Sequence, residues 1–312
     1  MIKYVKTIVY WLTLIGICVF VYVKREQFHI LSSISSFYIV TLLLIGIISV
    51  TVNALVFQNN IKVFDFVLPF NKWYGLTVAN TMYNYLLPAR GGLVLRALYL
   101  KTYYQFPYTN YVSLTGGVYL INLFVSSLLA LLISTFLWYS HQLDSLLFLN
   151  LSLFLFIGTL AVFLFLFYAK HLLFKTDITL ISHIESAYHG LQKFKDKPVL
   201  VAIHIFLHVS FLLVISLRLY LVFYVLEIDV SYSKVVLVNS LVVFSLVFSI
   251  TPGNIGVKEG IVGLSSGLLN ITPEQAILGA VFDRVIDMVI IFSLGIPYNH
   301  YLIKKDMNNI TG

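Results

Sequence analysis

Two short polar segments contain most of the side chains in this sequence that could do chemistry. The first, residues 84–96, holds two arginines, and the second, residues 252–259, ends on Lys258 and Glu259. A guanidinium group binds phosphate through parallel hydrogen bonds, and an ammonium group binds it as a point charge. Basic side chains grouped in this way indicate a site for an anion.

Both segments interrupt apolar sequence with proline and glycine. Proline removes a helical hydrogen bond, glycine lowers the cost of a bend, and a charge in lipid must face protein or a water-filled cavity. We therefore predict two helical hairpins whose breaks lie at a polar site inside the bilayer. The residues assigned to the breaks are Asn84, Pro88, Gly92, Pro252, Gly253 and Gly256.

The arginines of the first segment are Arg90, in the turn, and Arg96, on the following arm. Placing a charged side chain at bilayer depth costs about 2.5 to 3.5 kcal/mol. This cost suggests that the two arginines have a function there. The alternative is that both side chains extend to the cytoplasmic lipid headgroups.

Lys258 and Glu259 lie near the start of the second arm, where the free amides of a helix N-terminus favour an anion. The alternative for both is an ion pair, either with each other or across the hairpin. A glycine stripe on the same arm is expected to pack against another helix. Its members are Gly256, Gly260, Gly263 and Gly267.

A third charged cluster, Asp283, Arg284 and Asp287, lies in the last apolar segment. Arg284 and Asp287 are three residues apart on one helix face and can pair with each other. Such a pair either serves structure alone or belongs to the site. The predicted substrate-binding residues are therefore Arg90, Arg96, Lys258, Glu259, Arg284 and Asp287.

His204 and His208 are one helical turn apart in an apolar segment, without a nearby acidic residue or cysteine to complete a metal site. We expect them to line a polar seam or to hydrogen-bond the backbone. The sequence contains no phosphate-binding loop, dinucleotide fingerprint or His-Glu-x-x-His motif. No catalytic residue, metal or cofactor is predicted.

Composition places these side chains in a membrane, because 60% of the residues are hydrophobic, 11% are charged and the mean hydropathy is +0.94. A bilayer core takes about 20 helical residues. Full spans are predicted at residues 5–23, 35–57, 109–138, 145–169, 198–226 and 275–303. Shorter arms at 73–87 with 91–105, and at 234–250 with 256–270, predict re-entrant hairpins. The predicted fold is an all-α polytopic membrane protein.

Loop charges orient these segments, since positively charged loops stay in the cytoplasm. The lysine-rich loop at residues 170–197 is therefore cytoplasmic, and counting outward places both termini there too. Three spans separate the hairpins, so the hairpins enter from opposite faces. The single transmembrane domain, residues 1–312, then divides into inverted repeats of about 1–140 and about 141–312, an arrangement found in many secondary transporters.

The ordered motifs resemble a known family. Residues 84–96, together with residues 252–259 and the sequence Asp283-Arg284-Val285-Ile286-Asp287, resemble the lysylphosphatidylglycerol synthase transmembrane region, also called flippase-like. The resemblance covers nearly the whole chain and implies a polytopic protein of the prokaryotic inner membrane. In fused forms this region is the lipid-flipping half of a lysyl-lipid synthase, whereas stand-alone forms have largely unassigned substrates. No aminoacyl-transferase domain follows residue 312, so synthase activity is not expected.

Four positions depart from the family pattern. Leu93 stands where an acidic residue usually follows the first glycine motif, and Lys258 stands where an arginine often precedes the glutamate. Tyr119 and Asn122 occupy positions where the family often has an arginine and an aspartate. These departures bear on the substrate and leave the expected fold unchanged.

The sequence thus predicts a lipid transporter, or flippase, that binds an anionic membrane lipid or a polyprenyl phosphate near the midplane. Rocking of one repeat against the other would expose the headgroup to each leaflet in turn. Proton uptake by Asp287 or Glu259 would couple transport to the proton gradient. The alternatives are an integral-membrane enzyme that modifies a lipid phosphate and a non-catalytic membrane subunit. No nucleic-acid partner is expected. Whether the protein forms a homo-oligomer is left open.

The inverted repeat predicts how single cysteines react with an impermeant thiol reagent. With Cys18 replaced by serine, Ser182→Cys should be labelled only from the cytoplasm and Ser231→Cys only from outside. Labelling of both cysteines from the same side in oriented vesicles would show that the inverted arrangement is wrong.

Overall fold

The computed structural model describes residues 35–143, 146–168, 192–248 and 251–311, and it describes the side chains of all of these except 166–168, 246–248 and 303–311. The described residues are almost entirely helical and contain no β-strand. The all-α fold class is therefore confirmed. The predicted first span, residues 5–23, and most of the lysine-rich loop lie outside the described residues.

Ten α-helices are numbered here along the described chain. They are α1 Ser36–Ile61, α2 Phe70–Leu86, α3 Gly91–Tyr104, α4 Tyr108–Tyr139, α5 Leu147–Tyr168, α6 Pro198–Val225, α7 Tyr232–Val242, α8 Val257–Leu264, α9 Ser266–Leu269 and α10 Pro273–Thr311. Short 3-10 segments occur at Lys62–Phe64, Val243–Phe248 and Pro252–Asn254.

Four of these helices are long and apolar enough to cross a membrane. The apolar stretches are Ser36–Phe64, which is α1 with the 3-10 segment that follows it, Tyr108–Tyr139 of α4, Leu147–Phe165 of α5 and Pro198–Val225 of α6. They coincide with the spans predicted at 35–57, 109–138, 145–169 and 198–226. The predicted last span, 275–303, lies within α10, whose 39 residues rise about 58 Å. The total number of crossings stays a prediction.

The first hairpin matches its predicted arms, because α2 ends at Leu86 and α3 begins at Gly91. Between them, Ala89 and Arg90 both adopt left-handed backbone conformations, with φ of 51° and 56°. Such angles are uncommon for residues that carry a Cβ. This turn places the Arg90 side chain at the break.

A side-chain cap closes the same turn. The Oδ1 atom of Asn84 accepts a hydrogen bond from the Gly92 amide at 3.0 Å. A Cβ at position 92 would overlap the backbone carbonyl oxygen of Asn80. Glycine is therefore required here for the close approach of α3 to α2.

The second hairpin is less regular than the predicted arms. Its first arm passes from α7 into the 3-10 segment Val243–Phe248, and its second arm is divided at Ser265 into α8 and α9. Each of the arms predicted at 234–250 and 256–270 therefore contains two helical segments rather than one continuous helix. Gly253 and Gly256 have φ of 59° and 83°, which glycine adopts without steric cost.

The glycine stripe on this arm does not pack as predicted. Among the described residues, and apart from the adjoining backbone of the same helix, no heavy atom lies within 4 Å of the position of a Cβ at Gly260 or Gly267. At Gly263 a Cβ would lie 2.9 Å from the Ile277 side chain in α10. Close helix packing therefore occurs at Gly263, whereas Gly256 serves the turn.

The helices bring the two breaks together. The segment Pro252–Asn254 packs against α2, and α2 and α8 both pack against α10. A Cβ at Gly253 would overlap the Tyr85 ring, so the tip of one hairpin touches the tip of the other. The element order is compatible with repeats of about 1–140 and 141–312, and the inverted repeat itself stays a prediction.

Candidate functional site

A cavity of about 400 Å³ lies between the two hairpins and α1, α4, α6 and α10. Five of the six predicted substrate-binding residues line it: Arg90, Arg96, Lys258, Arg284 and Asp287. Glu259 does not line the cavity. Of the predicted break residues, Asn84 and Gly253 line it, whereas Pro88, Gly92, Pro252 and Gly256 do not.

Arg218 in α6 is the centre of an ion-pair network with α10. Its Nε and Nη2 atoms donate to the two carboxylate oxygens of Asp283 at 2.7 and 3.2 Å. Its Nη1 atom donates to Asp287 at 2.8 Å. Lys258 of the second hairpin also donates to Asp283, at 2.6 Å. These contacts join α6, α8 and α10.

Arg284 joins α10 to the second break. It forms an ion pair with Glu259 through both carboxylate oxygens. Its Nη1 atom donates to the Gly253 carbonyl at 2.7 Å, and Nη2 donates to the Asn254 carbonyl at 3.3 Å. Glu259 in turn accepts from the Gly256 amide at 2.8 Å. The N-terminus of α8, where an external anion was expected, is therefore capped by Glu259 of the chain itself.

These pairings correct two predictions. The expected pair within α10 is wrong, because Arg284 pairs with Glu259 and Asp287 pairs with Arg218. Lys258 and Glu259 do not pair with each other but with Asp283 and Arg284 of α10. Residues from different helices satisfy each charge, and sequence spacing within one helix cannot reveal such partners.

The network is electrically balanced. Three cations, Arg218, Lys258 and Arg284, face three carboxylates. These are Glu259, Asp283 and Asp287. The Asp283 side chain is 1% exposed and that of Arg218 is 4% exposed. Because a buried charge without a partner costs several kcal/mol, this network fixes how α6, α8 and α10 sit against one another.

Arg90 and Arg96 are held in a different way. Arg90 donates to the Tyr119 hydroxyl, and its guanidinium lies 5.0 Å from the centroid of that ring. Arg96 donates from Nε to the Tyr111 hydroxyl at 2.8 Å and lies 4.2 Å from the Phe57 ring centroid. No carboxylate among the described residues forms an ion pair with either arginine. Within the described ranges, two guanidinium charges of the cavity wall thus have no carboxylate partner.

These contacts bear on the alternative of snorkelling. Both arginines line the cavity and contact side chains of α1 and α4, rather than extending away from the protein. Tyr119, which stands where the related family often has an arginine, supplies the contact that holds Arg90. Neutral hydroxyls and aromatic rings orient the guanidinium groups without cancelling their charge.

Tyr85 links the first hairpin to the network. Its hydroxyl donates to Oδ2 of Asp287 at 2.7 Å, and its ring contacts Gly253. Sequence reasoning missed both Tyr85 and Arg218 as site residues. For Arg218 a signal was present, since a single arginine inside an apolar span needs a buried partner.

The two histidines form the expected polar seam between α6 and α4. The Nε2 atom of His204 lies 2.8 Å from Asn122 Oδ1, and that of His208 lies 3.0 Å from Ser126 Oγ. His208 and Asn122 line the cavity. Asn122, which stands where the family often has an aspartate, is therefore a neutral partner of a histidine.

Comparison with known protein families gives a match over most of the chain. The family model described as "Lysylphosphatidylglycerol synthase TM region" matches residues 8–295, which is most of the chain. No curated protein matches the chain.

The balanced network and the two free arginines should respond differently to substitution. Glu259→Gln is expected to lower the free energy of unfolding by about 3 to 5 kcal/mol, because Arg284 is left buried without a counter-charge. Arg90→Gln leaves no buried carboxylate without its partner, so it should lower the free energy of unfolding by clearly less than Glu259→Gln does. Unfolding of the detergent-purified proteins measures both.

A double variant provides the control. Glu259→Gln combined with Arg284→Gln removes both charges and should recover part of the loss. An Arg90→Gln variant as unstable as Glu259→Gln would contradict the division into a structural network and free cations.

Proposed function

Because the chain belongs to the lysylphosphatidylglycerol synthase transmembrane-region family, we propose that it is a flippase for an anionic lipid. Membership supports a lipid-related function in a membrane. In this proposal, the cavity holds the lipid headgroup while the lipid passes between leaflets, and the acyl or prenyl tails remain in the bilayer. In this proposal the protein lies in a prokaryotic cell membrane, with both termini in the cytoplasm.

One observation carries the proposal: Arg90 and Arg96 face the cavity without a carboxylate partner among the described residues. The other cations of the cavity wall are already neutralised. An anionic headgroup that enters the cavity therefore gains the two free guanidinium charges without breaking an existing ion pair. Arginine can bind a phosphate through two parallel hydrogen bonds, so a lipid phosphate suits this site.

Alternating access requires an element with two arrangements, and the hairpin tips are suited to this role. Tyr85 touches Gly253 and donates to Asp287, so one side chain joins both hairpins to α10. Separation of the tips would break the contact between Tyr85 and Gly253 and exchange the hydrogen bond between Tyr85 and Asp287. In this proposal the tips part on one side of the headgroup at a time.

Proton coupling is assigned to Asp287. Its side chain is 24% exposed and lines the cavity, whereas the Glu259 side chain is 5% exposed and does not line the cavity. Protonation of Asp287 would weaken its contact with Arg218 and change its bond with Tyr85. This step would link proton uptake to the position of the hairpin tips.

Transport can be tested with the purified protein in liposomes. The wild type is expected to move a headgroup-labelled anionic phospholipid or polyprenyl phosphate between leaflets without altering it chemically. An impermeant quencher reports the leaflet, and mass spectrometry reports the integrity of the lipid. Arg90→Ala should lower the rate at least about tenfold, since a hydrogen bond to a charged group contributes about 1.5 to 3 kcal/mol.

Lys101→Ala is the matched control, because Lys101 lies on α3 with Arg96 but is exposed and does not line the cavity. Its rate should equal that of the wild type. A chemically modified lipid would favour the enzyme alternative. Intact lipid without leaflet exchange, with or without a proton gradient, would contradict the flippase and favour a non-catalytic subunit.

A further inference from the structure

A lipid whose headgroup lies in the cavity needs an opening through which its tails reach the bilayer. The helices around the cavity pack against one another to different extents. α1 packs closely on α6 and α2 on α10, whereas α3 packs mainly on α2 and makes a small contact with α4. This last contact, here called the α3–α4 seam, runs from Arg90 and Tyr119 at the first break to Arg96 and Tyr111 near the turn that joins the two helices.

Ion pairs and buried hydrogen bonds join the helices on the other sides of the cavity. Arg218 joins α6 to α10, and Arg284 joins α10 to the second hairpin. His204 and His208 of α6 lie 2.8 and 3.0 Å from their polar partners in α4. Asn239 of α7 donates to a serine of α6 at 3.1 Å. Opening the cavity on any of these sides would therefore separate buried charged or polar partners.

The bonds that cross the α3–α4 seam are of a different kind. Arg90 donates to the Tyr119 hydroxyl, and Arg96 donates to the Tyr111 hydroxyl. Breaking a bond to a neutral hydroxyl leaves no opposite charge unpaired, so it costs less than breaking a buried ion pair. A phosphate offers a guanidinium group charge-assisted hydrogen bonds, which are about twice as strong as bonds between neutral groups. An anionic headgroup in the cavity can therefore replace the bonds that hold the seam.

Apolar side chains of α3 and α4 extend from the cavity to the outer surface. On α3, Leu93 lines the cavity, and Val94 and Leu98 are 67% and 49% exposed. Val94 and Leu98 are four residues apart and so share one face of the helix. On α4, Val118 lines the cavity and Val112 is 42% exposed. Hydrocarbon tails that pass along these side chains stay in an apolar environment.

We propose that the α3–α4 seam is the lateral opening through which the tails of the anionic lipid pass between the cavity and the bilayer. This inference rests on the proposed function and specifies the route of its substrate. The bonds from Arg90 to Tyr119 and from Arg96 to Tyr111 hold the seam closed when no headgroup is bound. A lipid phosphate takes over both guanidinium groups, and the tails then occupy the space between the two helices.

The route can be mapped by photolabelling the full chain in phosphatidylcholine nanodiscs. The probes are a phosphatidylglycerol and a polyprenyl phosphate, each with a diazirine at the headgroup end of its tail, and mass spectrometry locates the labelled residues. Labelling at Val94, Leu98 or Val112 should fall at least about fivefold when a tenfold excess of the unlabelled anionic lipid replaces phosphatidylcholine, because a site is saturable. Labelling at Leu151 and Phe154, which are exposed on α5, should not change.

Two double variants test the role of the bonds across the seam. Arg90→Ala with Arg96→Ala should abolish the competable labelling of α3 and α4. Tyr111→Phe with Tyr119→Phe keeps both guanidinium groups and both rings, and it should raise seam labelling at low probe concentration at least about twofold, because two hydrogen bonds no longer oppose opening. Tyr108→Phe is the control, since Tyr108 is exposed at the start of α4 and does not line the cavity. The wild-type competition locates the route even if a variant does not fold.

The outcomes separate this inference from the proposed function. Competable labelling confined to another pair of helices overturns the inference, while an anionic-lipid flippase stands. Seam labelling that the two tyrosine substitutions leave unchanged overturns the role of the arginine–tyrosine bonds in closing the seam. No competable labelling by either probe at any position overturns both the inference and the proposed function.

Discussion

The structure depends on one constraint: charges buried among membrane helices must be neutralised by partners from other helices. Asp283 is 1% exposed and is satisfied only where α6 and α8 supply Arg218 and Lys258. Arg284 likewise requires Glu259 and the carbonyls of the second break. Because leaving one member unpaired is costly, these contacts fix the register of three helices. They also hold the irregular backbone at residues 252–256 against α10.

The two sides of the cavity differ in whether ion pairs neutralise their charged side chains. The three cations nearest α10 are balanced by three carboxylates, whereas in the part of the chain that the structure describes Arg90 and Arg96 contact hydroxyls and aromatic rings. The ion-paired residues hold the helices together around the cavity, and Arg90 and Arg96 attract an anion into it. The left-handed turn at Ala89 and Arg90 connects these roles, since it leads into α3 and places the Arg90 guanidinium in the cavity wall.

Much of the fold was predictable because it depends on local sequence. Apolar length gave α1, α4, α5 and α6, and the Pro88 and Pro252 segments gave both breaks. The pairing of charges was not predictable, because Arg218 and Asp283 are 65 residues apart along the chain. The division of the second arm at Ser265 and the contact of Tyr85 with Gly253 also arise from tertiary packing. The partner of Arg284 was misassigned for this reason: its nearest partner in sequence, Asp287, is not its partner in space, which is Glu259.

The most direct test of this account is the structure of the full chain determined by electron cryomicroscopy in lipid nanodiscs that contain the bound anionic lipid. The account predicts phosphate density about 3 Å from the guanidinium groups of Arg90 and Arg96, with Arg218 and Arg284 still paired to their carboxylates. A phosphate bound to Arg218 or Arg284 with these ion pairs broken, or a cavity that excludes the headgroup, would contradict it.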